Sequence, residues 1–128
     1  MRQSNQLHER WTILAIVLVA LIHVLPLSGL LGAAQLQQIY GLTMLDHSTE
    51  LLLRHRALQF GALAALLIYT IWQRSWRAPL LTLTLISDVG FLLLALEAWP
   101  PNDALMRVVY FDVASVVLLV FLMVGRRQ

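Results

Sequence analysis

Six ionisable residues stand inside, or open, stretches that otherwise carry no charge: His23, Arg54, His55, Arg56, Asp88 and Asp112. Placing a charged side chain at the centre of a bilayer costs roughly 2.5–3.5 kcal/mol on insertion scales. Such residues are therefore the strongest pointers to function in an apolar chain. A guanidinium at Arg54 can hold an anionic or carbonyl group, and the carboxylates of Asp88 and Asp112 can orient it. His23 and His55 beside these acids are also the raw material of a proton relay. The same His and Asp residues could ligate haem or a divalent metal, but no pair has the H-x-x-x-H spacing of a metal-binding helix, so no cofactor and no metal site is expected. No G-x-S-x-G, P-loop or G-x-G-x-x-G is present, and no nucleophile is placed for catalysis, so the chain does not read as an enzyme.

Depth sharpens the pattern. His23 lies nine residues before Gly32, Asp88 nine before Glu97, and Asp112 five after Arg107. At about 1.5 Å per helical residue, all six groups fall in one half of a bilayer or near its midplane. The other half holds no ionisable residue between its bordering arginines and that layer. A polar pocket open toward one side is expected. Its lining is His23, Arg54, His55, Asp88 and Asp112, supported by Arg56, Arg107, Thr84 and Ser115. Arg54 shares a helical face with Leu58, Gly61 and Ala65. Ala57, Gly61 and Ala65 form a small-xxx-small stripe that lets another helix approach closely. Arg54 is therefore expected to face inward and pair with Asp88 or Asp112. Arg56 is expected to snorkel toward headgroups. Pro26, with Ser28, Gly29 and Gly32, should bend the chain just past His23, whose ring could bond a carbonyl that the proline frees.

The elements that must position these residues follow from composition. The chain has 128 residues, 59% hydrophobic and 12% charged, with a net charge of +2 and a mean hydropathy of +0.75. Soluble domains carry about 25% charged residues. These figures exclude a disordered chain and a nucleic-acid partner, since the nine basic residues, all arginine, are scattered singly or in pairs. Cysteine is absent, which removes disulfides and thiolate chemistry. Charge-poor runs predict spans at about 11–32, 51–73, 78–98 and 104–125, each of transmembrane length. The reading is an all-α membrane protein: one integral domain over 1–128, a four-transmembrane-helix bundle. A short amphipathic helix, Ala34 to Tyr40, lies in the first outer loop and stops at Gly41. The first span has the outline of a signal peptide, but its apolar run is too long for one.

Arg2, Arg10, Arg74, Arg77, Arg126 and Arg127 gather on one side, while Asp46, Glu50, Glu97 and Asp103 border the other. The positive-inside rule then places both termini in the cytoplasm, in a bacterial inner membrane.

His23-Val-Leu-Pro-Leu-Ser-Gly29, Ile39-Tyr-Gly-Leu42, Leu53-Arg-His-Arg-Ala-Leu-Gln-Phe-Gly61 and Arg107-Val-Val-Tyr-Phe-Asp112 together resemble a family of small four-span bacterial inner-membrane proteins of unassigned function. Members often carry the label phosphopantetheine adenylyltransferase, which does not fit this chain: that enzyme is a soluble α/β protein with a phosphate-binding strand–loop–helix. A more distant similarity to DoxX-like four-helix proteins implies a quinone- or redox-linked accessory role. The small multidrug exporters have similar length, but they need a glutamate in the first span, where this chain has His23. The leading expectation is a membrane protein that binds a lipid, quinone or other amphipathic molecule, or acts as an accessory subunit. Its rivals are a homodimeric proton-coupled transporter and a structural subunit whose buried ion pair sets helix register.

Overall fold

A computed structural model describes residues 2–125, which form five α-helices and two 3-10 segments without a strand. Helix α1 spans Arg2–Val24, α2 Ala33–Tyr40, α3 His47–Tyr69, α4 Arg77–Glu97 and α5 Asp103–Gly125. Four helical segments are long and apolar enough to cross a membrane: Gln6–Leu31, His47–Tyr69, Arg74–Glu97 and Asp103–Gly125. The all-α four-helix bundle expected from the charge-poor runs is the observed architecture.

Local chemistry sets the boundaries. Pro26 has no N–H to donate and falls in the first turn of a 3-10 segment, Leu25–Leu31, which replaces α-helix at Val24. Past His23, where a bend is expected, the structure shows this change of helix type. Gly41 closes α2 in the left-handed region at φ 65°, ψ 38°, where a side chain would strain the backbone. Asn102 links the ends of α2 and α5: its Oδ1 accepts from Leu105 N at 2.8 Å, and its Nδ2 donates to the Tyr40 carbonyl at 2.9 Å. Helix α3 ends at Tyr69, with Thr70 as its C-cap, rather than continuing to residue 73, and a 3-10 turn, Arg74–Trp76, leads directly into α4.

Asp46 caps α3. Its carboxylate accepts from the amides of Ser48 at 2.9 Å and Thr49 at 3.0 Å, and from the Thr49 hydroxyl. That hydroxyl, helped by the amides, holds the Asp46 carboxyl below its ordinary range. Because the folded group titrates lower than the unfolded one, the cap is complete above the ordinary aspartate range. It is lost as pH falls through the depressed value. Amide exchange at Ser48 and Thr49, corrected for intrinsic rates, should therefore speed up in acid, and Asp46→Ala should show the faster exchange already at neutral pH.

The long helices run up, down, up and down. Helix α1 packs along α3 and α5, and α5 packs along α4, while α3 and α4 meet over only a short stretch. Helices α1 and α4 therefore run parallel, across a diagonal of the bundle. The centre is apolar: Ile16, Val19, Leu67, Leu81, Leu119 and Leu122 are buried in one cluster. One end of the bundle carries Arg10, Arg74 and Arg77, and the other carries Asp46, Glu50, Glu97 and Asp103. The bundle thus has a basic end and an acidic end. Arg126 and Arg127 lie outside the described residues.

Candidate functional site

The buried face of α3 decides which cation reaches the interior. Residues 54, 55 and 56 step around the helix by about 100° each, so only one of them can face inward. Ala57, Ala64 and Leu67 are the buried positions, with Phe60 beside them. This face selects Arg56. Arg54 points away: its Nη1 lies 3.6 Å from Glu50 Oε1 one turn earlier, with 48% of its side chain exposed. The expected pairing of Arg54 with Asp88 or Asp112 is thus corrected. Its contact is a surface pair, worth about 0–1 kcal/mol. His55 is exposed as well and does not join the cluster. The small-residue stripe faces inward in part. Ala57 is buried and Ala65 exposed. A Cβ on Gly61 would lie 2.5 Å from Leu27 Cδ1, so Gly61 admits the 3-10 segment of the same chain.

Arg56 does not snorkel alone. Its guanidinium carbon lies 5.1 Å from the centre of the Phe60 ring, 5.2 Å from Phe91 and 5.7 Å from Tyr40, all within cation–π range. No carboxylate lies within 4 Å of it among the described residues.

His23 and Asp88 do meet, as their depth suggested. His23 Nε2 lies 3.1 Å from Asp88 Oδ1, with the two side chains 2% and 1% exposed. The contact reaches across the diagonal from α1 to α4. His23 Nδ1 donates to the Val19 carbonyl at 2.9 Å. This is the ordinary carbonyl one turn back, not one freed by Pro26. A carbonyl only accepts, so Nδ1 carries its hydrogen. A neutral ring then presents a bare Nε2 to Asp88, and the Nε2–Oδ1 bond needs one further proton, on either the imidazole or the carboxyl. Both ring nitrogens are thus engaged within the bundle. Asp88 Oδ2 and Ser115 Oγ are buried without a hydrogen-bond partner among the described residues. The Thr84 hydroxyl is satisfied locally, by donating to the Leu80 carbonyl at 2.8 Å. Among the described residues, no three His, Asp or Glu side chains gather as a metal-binding group.

Three hollows surround this layer. A groove of about 540 Å³ opens between α3 and α4, lined by Arg56, Gln59, Phe60, Ser87, Gly90 and Phe91. A second, of about 300 Å³, lies among the end of α1, α2 and α5, with Gln35, Gln38, Arg107 and Asp112 on its walls. Between them sits a cavity of about 30 Å³ bordered by His23, Tyr40, Arg56, Phe60 and Asp112. Arg56 and Phe60 are shared with the first groove, and Asp112 with the second. Arg107 is exposed at the second groove.

Sequence reasoning missed a second polar cluster at the basic end. Arg77, 5% exposed, is no mere topology marker. It forks onto Glu9, Nη2–Oε1 2.8 Å and Nη1–Oε2 3.1 Å, while its Nε donates to the Thr70 carbonyl at 2.9 Å. Arg74 Nη2 adds a contact to Glu9 at 3.2 Å. This cluster also joins α1 to α4. The available signal was Glu9 itself, the one acid in a terminal segment otherwise marked by arginine.

No protein-family model, curated protein or solved structure matches the chain.

Proposed function

We propose that this is a four-span protein of a bacterial inner membrane, with both termini in the cytoplasm, that binds an amphipathic ligand in the groove between α3 and α4. The ligand's anionic or carbonyl head, as in a lipid or quinone, lies against Arg56, and its apolar body follows the groove. The observation that carries this reading is the setting of Arg56. A guanidinium held among Phe60, Phe91 and Tyr40, without a carboxylate within 4 Å, stands on the wall shared by a lipid-facing groove and the polar interior. Such a group offers charge-assisted hydrogen bonds, and the rings around it suit a flat or extended ligand. Exposed Trp11, Trp72 and Trp76 toward the basic end, and Trp99 at the acidic end, suit two interfacial belts. A proton-coupled transporter gains less support, because Ile16, Leu67, Leu81 and Leu119 fill the half of the bundle toward the basic end.

Native mass spectrometry on protein extracted with its lipids tests the reading. Wild type and Arg54→Ala should carry the same bound mass. Arg56→Ala should lose about 2 kcal/mol of affinity, or roughly 30-fold. Gly90→Leu should displace the ligand without touching Arg56, since a Cβ there meets nothing within 4 Å. Equal occupancy in wild type, Arg56→Ala and Gly90→Leu would sink the proposal.

A further inference from the structure

We propose that the His23–Asp88 pair binds one dissociable proton, and that the groove along α2 and α5, ending at Asp112, is the route by which this proton exchanges with water. The inference is independent of any ligand between α3 and α4.

Hydrogen-bond geometry supplies the proton. With Nδ1–H committed to the Val19 carbonyl, the 3.1 Å contact between Nε2 and Asp88 Oδ1 is repulsive unless a second hydrogen lies in it. With Asp112 ionised, charge balance gives the same count. The ionisable groups of the layer are His23 from α1, Tyr40 from α2, Arg56 from α3, Asp88 from α4 and Asp112 from α5. With one proton in the pair, His23 and Asp88 together are neutral, and Arg56 balances Asp112. Without it, the layer carries one unbalanced negative charge in a low-dielectric interior, which is a costly state.

Access comes from the second groove. Asp112 lies nine residues from the start of α5 at Asp103, about 13 Å along the helix. Gln35, Gln38 and Arg107 offer polar side chains on the way to it. The 30 Å³ cavity then joins Asp112 to His23, and that volume accommodates a bridging water with polar partners on several sides. Each transfer moves a proton alone. An O–H bond to Asp112 forms as hydronium becomes water, and it breaks as the proton passes through the cavity to the pair. No electron changes hands, so no redox partner is needed. The first groove reaches the same cavity past Arg56 and Phe60, but Asp112 lines the second groove and not this one, so only the second brings a proton-accepting carboxylate to its inner end.

Nitrogen-15 NMR of protein labelled at histidine reads the proton directly, with the His23 signals assigned by His23→Gln. In wild type, the Nε2 signal should titrate as a single step, and Asp88→Asn should abolish or displace that step. Ring-proton exchange into deuterium should slow by at least about tenfold in Gln38→Trp, which fills the mouth of the second groove, and also in Asp112→Asn. Gly90→Leu, which fills the other groove, should leave it unchanged. Should Asp88→Asn fail to fold, the exchange rates decide. A wild-type Nε2 signal that does not change anywhere in the folded pH range overturns the proposal. So does exchange slowed by Gly90→Leu but not by Gln38→Trp.

Discussion

Replacing Glu9 with Ala should destabilise the bundle by about 3–5 kcal/mol, the range for removing one partner of a buried ion pair. The size follows from Arg77. Its side chain is 6% exposed, and its guanidinium cannot shed its proton to escape the loss of its partner. The carbonyls of Thr70 and Ile71 remain as acceptors, yet neither carries a compensating charge. Glu9 is 26% exposed, so water entering that end sets the result toward the lower part of the range. Glu9→Gln should cost less, because an amide keeps one acceptor for the fork. The double variant Glu9→Ala with Arg77→Met should recover most of the stability, since a buried pair replaced by apolar side chains is often neutral. Thermal unfolding of the purified protein in detergent measures all three. A double variant as unstable as Glu9→Ala alone would show that Arg77 acts through its backbone contacts instead.

Removing His23 should cost less, about 2–3 kcal/mol for His23→Leu, although both partners are more deeply buried than Glu9. The reason is the proton. Asp88 can take it up and become a neutral acid, so what remains is an unsatisfied polar group rather than a stranded charge. The coupling energy between His23→Leu and Asp88→Leu, from a double-mutant cycle, should be about 1–2 kcal/mol, near the upper end seen for polar contacts between membrane helices. Additive losses would mean that the 3.1 Å contact contributes nothing to stability. The two pairs thus differ in kind. One is a permanent charge pair, the other can change its proton count without breaking the fold.

The four-helix architecture was legible because hydrophobic runs of 17 or more residues have few other physical outcomes. The depth of His23, Asp88 and Asp112 was legible too, since rise per residue is nearly constant in a helix. What depth could not supply was rotation. In a soluble helix the polar side marks the outside. In α3 the outward face (Leu51, Leu52, Leu58, Leu66) is as apolar as the core, so periodicity does not distinguish Arg54 from Arg56. Reading the small-residue stripe as the centre of the inner face puts that face out by roughly 100°, about one residue step around the helix. Arg77 escaped notice for a related reason. An arginine beside a tight loop satisfies the positive-inside pattern whether or not it is buried, and only the position of Glu9 on the diagonal helix reveals that it is. The cation–π setting of Arg56 needed tertiary structure as well, because Tyr40, Phe60 and Phe91 come from three different helices.

The short seam between α3 and α4 has a kinetic corollary. Both polar clusters tie α1 to α4, and α3 is held mainly by α1 and the Leu25–Leu31 segment. The perimeter therefore has one loosely stitched side, which in a bilayer would face hydrocarbon. A molecule that reaches Arg56 this way never has to dissolve in water. Its arrival is a collision in two dimensions, governed by mole fraction in the leaflet and by lateral diffusion, and diluting the aqueous phase would leave it unchanged.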